Sequence, residues 1–180
     1  MNEFYENPLC VRYSSDAMKR IFSADNKFST WRKLWIALAE SEKELGLDIT
    51  DAQIDEMKAH IYDIDYDRAR RYESELRHDV MAHVRTFGDA CPLAKPIIHL
   101  GATSCYVGDN TDIIVMREGL LQIKKLLVNA IDALAKFAAQ NRDVATLAYT
   151  HFQAAQPTTL GKRATLWAQD LLLDLEQLDF

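Results

Sequence analysis

The chain has few residues that interrupt a helix. Four prolines and six glycines are spread over 180 residues, which excludes collagen-like and Pro/Gly-rich low-complexity chains. Hydrophobic residues make up 48%, which excludes intrinsic disorder. No run approaches the roughly 20 apolar residues of a membrane-spanning helix, so no membrane partner is expected. The opening Met1-Asn2-Glu3-Phe4-Tyr5-Glu6-Asn7-Pro8 has no basic-then-apolar order. Cysteine is scarce. Cys10, Cys91 and Cys105 are widely spaced and form no C-x-x-C pair, so neither a zinc ribbon nor a redox couple is indicated. Reduced thiols in a cytoplasmic protein are the expectation. An excess of basic charge is lacking too: the net charge is −6, with both signs mixed along the chain. This argues against a nucleic-acid partner. It leaves room for a small anionic ligand where local charge opposes the total. A Walker loop, a dinucleotide fingerprint and a Ser-His-Asp order are all missing.

What remains is helical periodicity. Residues 1–13 show none. Ser14 or Ser15 is placed to cap a short helix over 16–22. A clearer helix runs from Ser23 to Leu45, with Trp31, Leu34, Trp35, Leu38 and Leu45 at helical spacing and Gly46 as a stop. Thr50-Asp51-Ala52-Gln53 is a capping box. Asp65 is placed to cap a helix through Leu76, and another runs from about Arg77 to Gly88. From Asn110 to Gln140, Ile113, Met116, Leu120, Ile123, Leu127, Ala130, Leu134 and Phe137 alternate steps of three and four. Ile114, Leu121, Val128 and Ala135 widen that stripe, so this helix should touch several neighbours in a bundle. Leu160, Ala164, Trp167, Leu171, Leu175 and Leu178 repeat the pattern up to Phe180, where the helix looks cut rather than finished. The expected fold class is all-α: an N-terminal helical domain over 1–108, then the first part of a long-helix bundle domain over 109–180.

Four polar stretches interrupt this pattern. Arg12-Tyr13 closes the first. Arg77-His78-Asp79 lies at a helix start, where free N–H groups attract phosphate or carboxylate. His78 and His83, five apart, lie about 140° apart round a helix and cannot share a metal from one face. Asp79 and His83, four apart, are placed to pair. The third stretch, Gly101-Ala102-Thr103-Ser104, is rich in small and hydroxyl residues. A turn before the next helix reads the same. The fourth is Thr150-His151-Phe152-Gln153-Ala154-Ala155-Gln156-Pro157-Thr158-Thr159, read as a polar loop joining two helices, with Pro157 opening the second. Here an imidazole that titrates near neutrality sits among amides and hydroxyls able to orient it.

Thr150–Thr159 resembles the Thr-His-x-Gln-x-Ala-Gln-x-Thr-Thr segment of the fumarase/aspartase superfamily. Three further stretches narrow the resemblance to the adenylosuccinate lyase family: Lys27 to Trp35, Arg77 to His83, and His99 to Asn110. Together they cover nearly the whole chain in order. The resemblance implies an all-helical fold of the fumarase/aspartase type, a homotetramer, purine nucleotide substrates and no cofactor or metal. It implies β-elimination of fumarate from adenylosuccinate, giving AMP, and from the succinylated aminoimidazole carboxamide ribotide. By the same resemblance His151 is the general acid, with Thr150 assisting. Arg12 and Tyr13 match a phosphate-binding pair. Arg77, His78 and Asp79 match a substrate-binding triplet, and Thr103 and Ser104 match hydroxyls that hold the succinyl portion. Ala154 departs from the family's usual proline. The family's Ser-rich loop, which carries the base, has no counterpart before Phe180, so the chain is expected to be an inactive N-terminal portion on its own. Two other readings are a non-catalytic helical oligomerisation module and a phosphohydrolase holding a metal through His78 and Asp79.

Overall fold

The computed structural model describes residues 7–180, so the first six residues of the unpatterned 1–13 stretch lie outside it. The remainder of that stretch carries a single π-type turn over Leu9–Tyr13. The helices that follow are α1 (Asp16–Ile21), α2 (Ala24–Glu44), α3 (Asp51–Ala59), α4 (Tyr66–Leu76), α5 (Asp79–Ala90) and α6 (Ser104–Gln140). A hairpin of β1 (Ala145–Thr150) and β2 (Gln153–Thr159) then leads into α7 (Leu160–Asp179). Contacts group the chain into one unit through Glu118 and another over Gly119–Phe180.

Capping side chains set most of the boundaries. Ser15, Ser23 and Asp65 each accept a hydrogen bond from a backbone N–H three residues on. Thr50 and Gln53 satisfy each other's backbone N–H groups, as the capping box requires. Gly46 ends α2 in the left-handed region at φ 94°.

In the first unit α2 is the spine. Trp31 and Trp35, one turn apart, are both 1% exposed and pack with Met57, Val80, Phe87 and Val107. Arg32 is buried beside them. Its Nη1 donates to the carbonyl of Asp63 at 3.1 Å and to that of His60 at the end of α3, and its guanidinium lies 4.5 Å from the Phe87 ring centre. These partners satisfy the carbonyls where α3 stops. His83 does not pair with Asp79. Its ring stacks on Phe28 at 3.7 Å and meets Trp31 edge-on. Burial, helped by the Arg32 charge, pulls its pKa down to about 4, so it is a neutral core histidine at pH 7.

α6 begins at Ser104, not Asn110, and its 37 residues span about 55 Å at 1.5 Å per residue. The hydroxyl-rich 104–110 segment reads as a turn from composition. Burial of Val107 and Thr111 against the first unit overrides that propensity. The apolar row on α6 is largely uncovered: Ile113 is 62% exposed, and Met116, Leu120, Ile123 and Phe137 are exposed as well.

The second unit corrects the reading of residues 145–159. They form an antiparallel hairpin whose two-residue turn is His151-Phe152. Ala145-Thr146-Leu147-Ala148-Tyr149-Thr150 has the β-branched and aromatic content of a strand. Pro157 lies in β2 opposite Leu147 and does not open a helix. A two-stranded ribbon has only edge strands, where the missing N–H of proline is tolerated. Thr159 is the cap of α7, accepting from the Lys162 N–H at 3.1 Å. The start of α7 is pressed on the end of α6. The N–H groups of Leu160 and Gly161 donate to the carbonyls of Val144 and Asn141, each at 2.9 Å.

Candidate functional site

α4 and α5 are joined by only Arg77 and His78. Arg77 closes α4 in the left-handed region, at φ 54°, and its N–H donates to the Glu73 carbonyl at 2.8 Å. His78 is the N-cap of α5. Its Nδ1 accepts a long hydrogen bond, 3.4 Å, from the Met81 N–H. In the neutral ring the proton is therefore on Nε2, which is left as a donor. Asp79 caps in its own way: Oδ1 accepts from the Val80 N–H at 2.7 Å and lies 3.7 Å from His78 Nδ1. The imidazole and the carboxylate thus share the start of α5.

These three residues line an open pocket of about 800 Å³ together with Arg70, Glu73 and Ser74. Two arginines, a helix N-terminus and an imidazole donor favour an anion there, against the carboxylates of Glu73 and Asp79 in the same lining. Sequence reasoning misses Arg70 and Ser74. They belong to a mixed-charge face of α4, and helical spacing from Arg77 is the signal that could find them. Arg70 also pairs with Asp67 at 2.5 Å.

Thr103 is exposed and Ser104 half-buried at the N-terminus of α6. The turn before them carries His99 at φ 67° and Gly101 at φ 62°. The Thr103 carbonyl accepts from the Tyr106 N–H at 3.0 Å, and the Tyr106 hydroxyl donates to the Leu34 carbonyl at 2.9 Å. The segment is thus pinned to α2, with both Thr103 and Ser104 hydroxyls free of protein partners among the described residues. Arg12 and Tyr13 are exposed in the π-type turn.

In the second unit, Thr150 ends β1, paired with Gln153, and His151 and Phe152 form the hairpin tip. Both tip residues lie in the left-handed region, at φ 51° and 61°. Such conformations are uncommon for non-glycine residues and cluster at functional turns. His151 is exposed, and the side chains of Gln153 and Gln156 do not hydrogen-bond to it.

The first unit thus carries the Arg77–Asp79 pocket and the Thr103-Ser104 hydroxyls, and the second carries the exposed His151 at its hairpin tip. A family of lyases matches residues 11–179 of this sequence.

The chain belongs to that lyase family.

Among its relatives is the adenylosuccinate lyase of Schistosoma mansoni, 54% identical over 181 residues, covering 99% of this chain and 38% of the relative. The adenylosuccinate lyase of Saccharomyces cerevisiae is also 54% identical, covering 97% of this chain and 37% of the relative. The chain therefore spans less than two fifths of the length of these curated relatives. A solved fumarate lyase from Mesorhizobium sp. BNC1 shares the fold, with a TM-score of 0.84 at 24% identity over 98% of this chain and 41% of that one. This lyase chain is thus mainly helical as expected, and the hairpin is the one departure from the all-α expectation among the described residues.

Proposed function

We propose that this lyase chain carries the acid half and much of the substrate-binding surface of an adenylosuccinate lyase. The observation that carries the proposal is the hairpin tip. It presents an exposed imidazole on a turn held in the left-handed region, within a sequence 54% identical to lyases of that name. In this reading a base from outside these residues takes a proton from the succinyl carbon beside a carboxylate. The Thr103 and Ser104 hydroxyls hold the carboxylate as charge develops. The carbon–nitrogen bond then breaks, its electron pair goes to the purine nitrogen, and His151 delivers the proton that completes AMP. Thr150 steadies the donor. Arg77, His78 and Asp79, with Arg12 and Tyr13, hold the nucleotide phosphate and ribose end. The same acid and hydroxyls serve the succinylated ribotide. The proton lost from carbon, the new carbon–carbon double bond of fumarate and the proton gained by nitrogen balance the broken carbon–nitrogen bond.

The division into an N-terminal helical domain, 1–108, and a long-helix domain, 109–180, belongs to this reading. So does a homotetramer, in which the open α6 row is covered by other subunits and the site is completed by them. Three free cysteines accord with a cytoplasmic setting. The test uses the full-length protein. His151→Ala should lower fumarate release by roughly 10²–10⁴, the range for a general acid, while the tetramer persists. Retained turnover removes His151 from the mechanism.

The uncovered α6 row favours one competing reading, an oligomerisation module without chemistry. Titration calorimetry separates the two: AMP binding that is lost in Arg77→Ala supports the lyase reading, and absence of binding to the full-length protein refutes it.

A further inference from the structure

Trp31 and Trp35 lie on the same face of α2 and are equally buried, yet only one indole N–H has a partner. Trp31 Nε1 has none, while Trp35 Nε1 donates to Nδ1 of His99 at 3.0 Å. The rings stand 80° apart with centres 6.0 Å from each other. We propose that Trp35 is a positioning residue: its indole N–H fixes His99 as the Nε2–H tautomer and anchors the turn leading into Thr103 and Ser104.

Indole is a donor only, so the nitrogen it meets must be an unprotonated acceptor. The single proton of the neutral imidazole is then on Nε2. A second proton on Nδ1 would face an N–H head-on, so the bond also disfavours the charged ring. Burial and the nearby charge of His78 push in the same direction. The backbone points to the same anchoring. His99 lies in the left-handed region without being glycine or asparagine. Such a conformation persists where surrounding contacts impose it. The Ala102 N–H reaches back to the His99 carbonyl at 3.4 Å, Gly101 completes the reversal, and α6 opens at Ser104. The turn is therefore tied to α2 twice, through the Trp35–His99 bond and through Tyr106 to Leu34. His99 Nε2–H has no acceptor among the described residues, and the half-buried ring keeps it open to a ligand. A core residue thereby sets the direction of a donor at the surface, as outer partners of an imidazole generally do. The consequence for turnover rests on the lyase reading, but the tautomer does not.

The test is ¹⁵N NMR of the labelled chain at neutral pH without substrate. His99 should show the two-bond coupling pattern of the Nε2–H form. Trp35→Phe should change the tautomer ratio about fivefold towards Nδ1–H, the effect of losing one neutral hydrogen bond. A second pair of variants keeps Trp35 in the core. Asparagine places an acceptor near Nδ1, so His99→Asn should leave the Trp35 indole proton slowly exchanging, whereas His99→Gln should expose it to solvent exchange. An Nδ1–H ring in the wild type, an unchanged ratio in Trp35→Phe, or equal indole exchange in the two His99 variants would overturn the proposal. Fumarate release plays no part in these readouts, so the lyase reading fails or stands separately.

Discussion

The same substitution, glycine to alanine, should have opposite effects at two helical positions. A Cβ at Gly161 would sit 2.4 Å from the Ala138 carbonyl oxygen and 2.7 Å from Arg142 Cα. Both are backbone atoms, so no flexible side chain can move aside. The first turn of α7 would have to lift off the end of α6. That strains the bonds from Leu160 and Gly161 to Val144 and Asn141, both 2.9 Å long. Overpacking costs about 1–3 kcal/mol and each weakened hydrogen bond about 1 kcal/mol. The helix propensity of alanine returns at most about 1 kcal/mol. The net expectation for Gly161→Ala is a loss of about 2–4 kcal/mol. At Gly108, inside α6, nothing lies within 4 Å of where the new methyl group would stand. Only propensity acts there, and Gly108→Ala should gain about 1 kcal/mol. With a urea slope of about 2 kcal/mol per molar, the midpoints should move down by about 1–2 M and up by about 0.5 M. Urea unfolding followed by far-ultraviolet circular dichroism gives the midpoints, and exchange of the α7 amides localises the first effect. A Gly161→Ala midpoint at or above that of the wild type would refute the close-approach argument.

Phe152→Gly should stabilise the hairpin by about 1 kcal/mol, because a left-handed non-glycine residue is strained and the exposed ring loses no burial. A lower melting temperature would show that the ring packs. The buried, neutral His83 has a folded pKa near 4 against an ordinary value of 6.5, so the unfolded chain binds the extra proton first. Its contribution is full above pH 6.5 and is lost as pH falls towards 4, by up to about 3 kcal/mol. Relative to the wild type, His83→Phe should show a shallower loss of stability over that window, and an identical slope would contradict the assignment. Burial pushes the Cys91 thiol up to about 12. In the folded chain a disulfide thiol reagent at about pH 8 should therefore modify exposed Cys10 and Cys105 quickly and leave Cys91 unreacted until unfolding.

Local chemistry made the starts of the first four helices legible. Ser15, Ser23, Thr50 with Gln53, and Asp65 cap where short-range donor and acceptor rules place them. The features that escaped depend on partners distant in sequence. α6 starts six residues early because Val107 and Thr111 find burial against helices that composition does not reveal. The hairpin escaped because its turn is His-Phe, not the Asn-Gly that announces a two-residue reversal. Asp79 and His83 have the spacing of a helical ion pair, but Phe28 and Trp31 claim the imidazole instead. For the site, the polar segments stood out against the apolar pattern, Arg70 was hidden among the other charges of α4, and the Trp35–His99 bond became visible only in three dimensions.

His78 has two jobs, and this bears on how genetic variation at that position should be interpreted. As the N-cap of α5 it supports the helix, and its side chain lines the open pocket beside α4. Alanine there removes a cap worth about 1 kcal/mol as well as an imidazole. A shift of that size can change cellular abundance several-fold without touching chemistry. Growth defects from alanine or leucine at 78 would therefore mix dosage with loss of the pocket imidazole. Asparagine, a preferred cap, preserves the helix start and deletes only the imidazole. A His78→Asn allele with normal protein level and impaired growth would isolate the chemical contribution of this residue in a living cell.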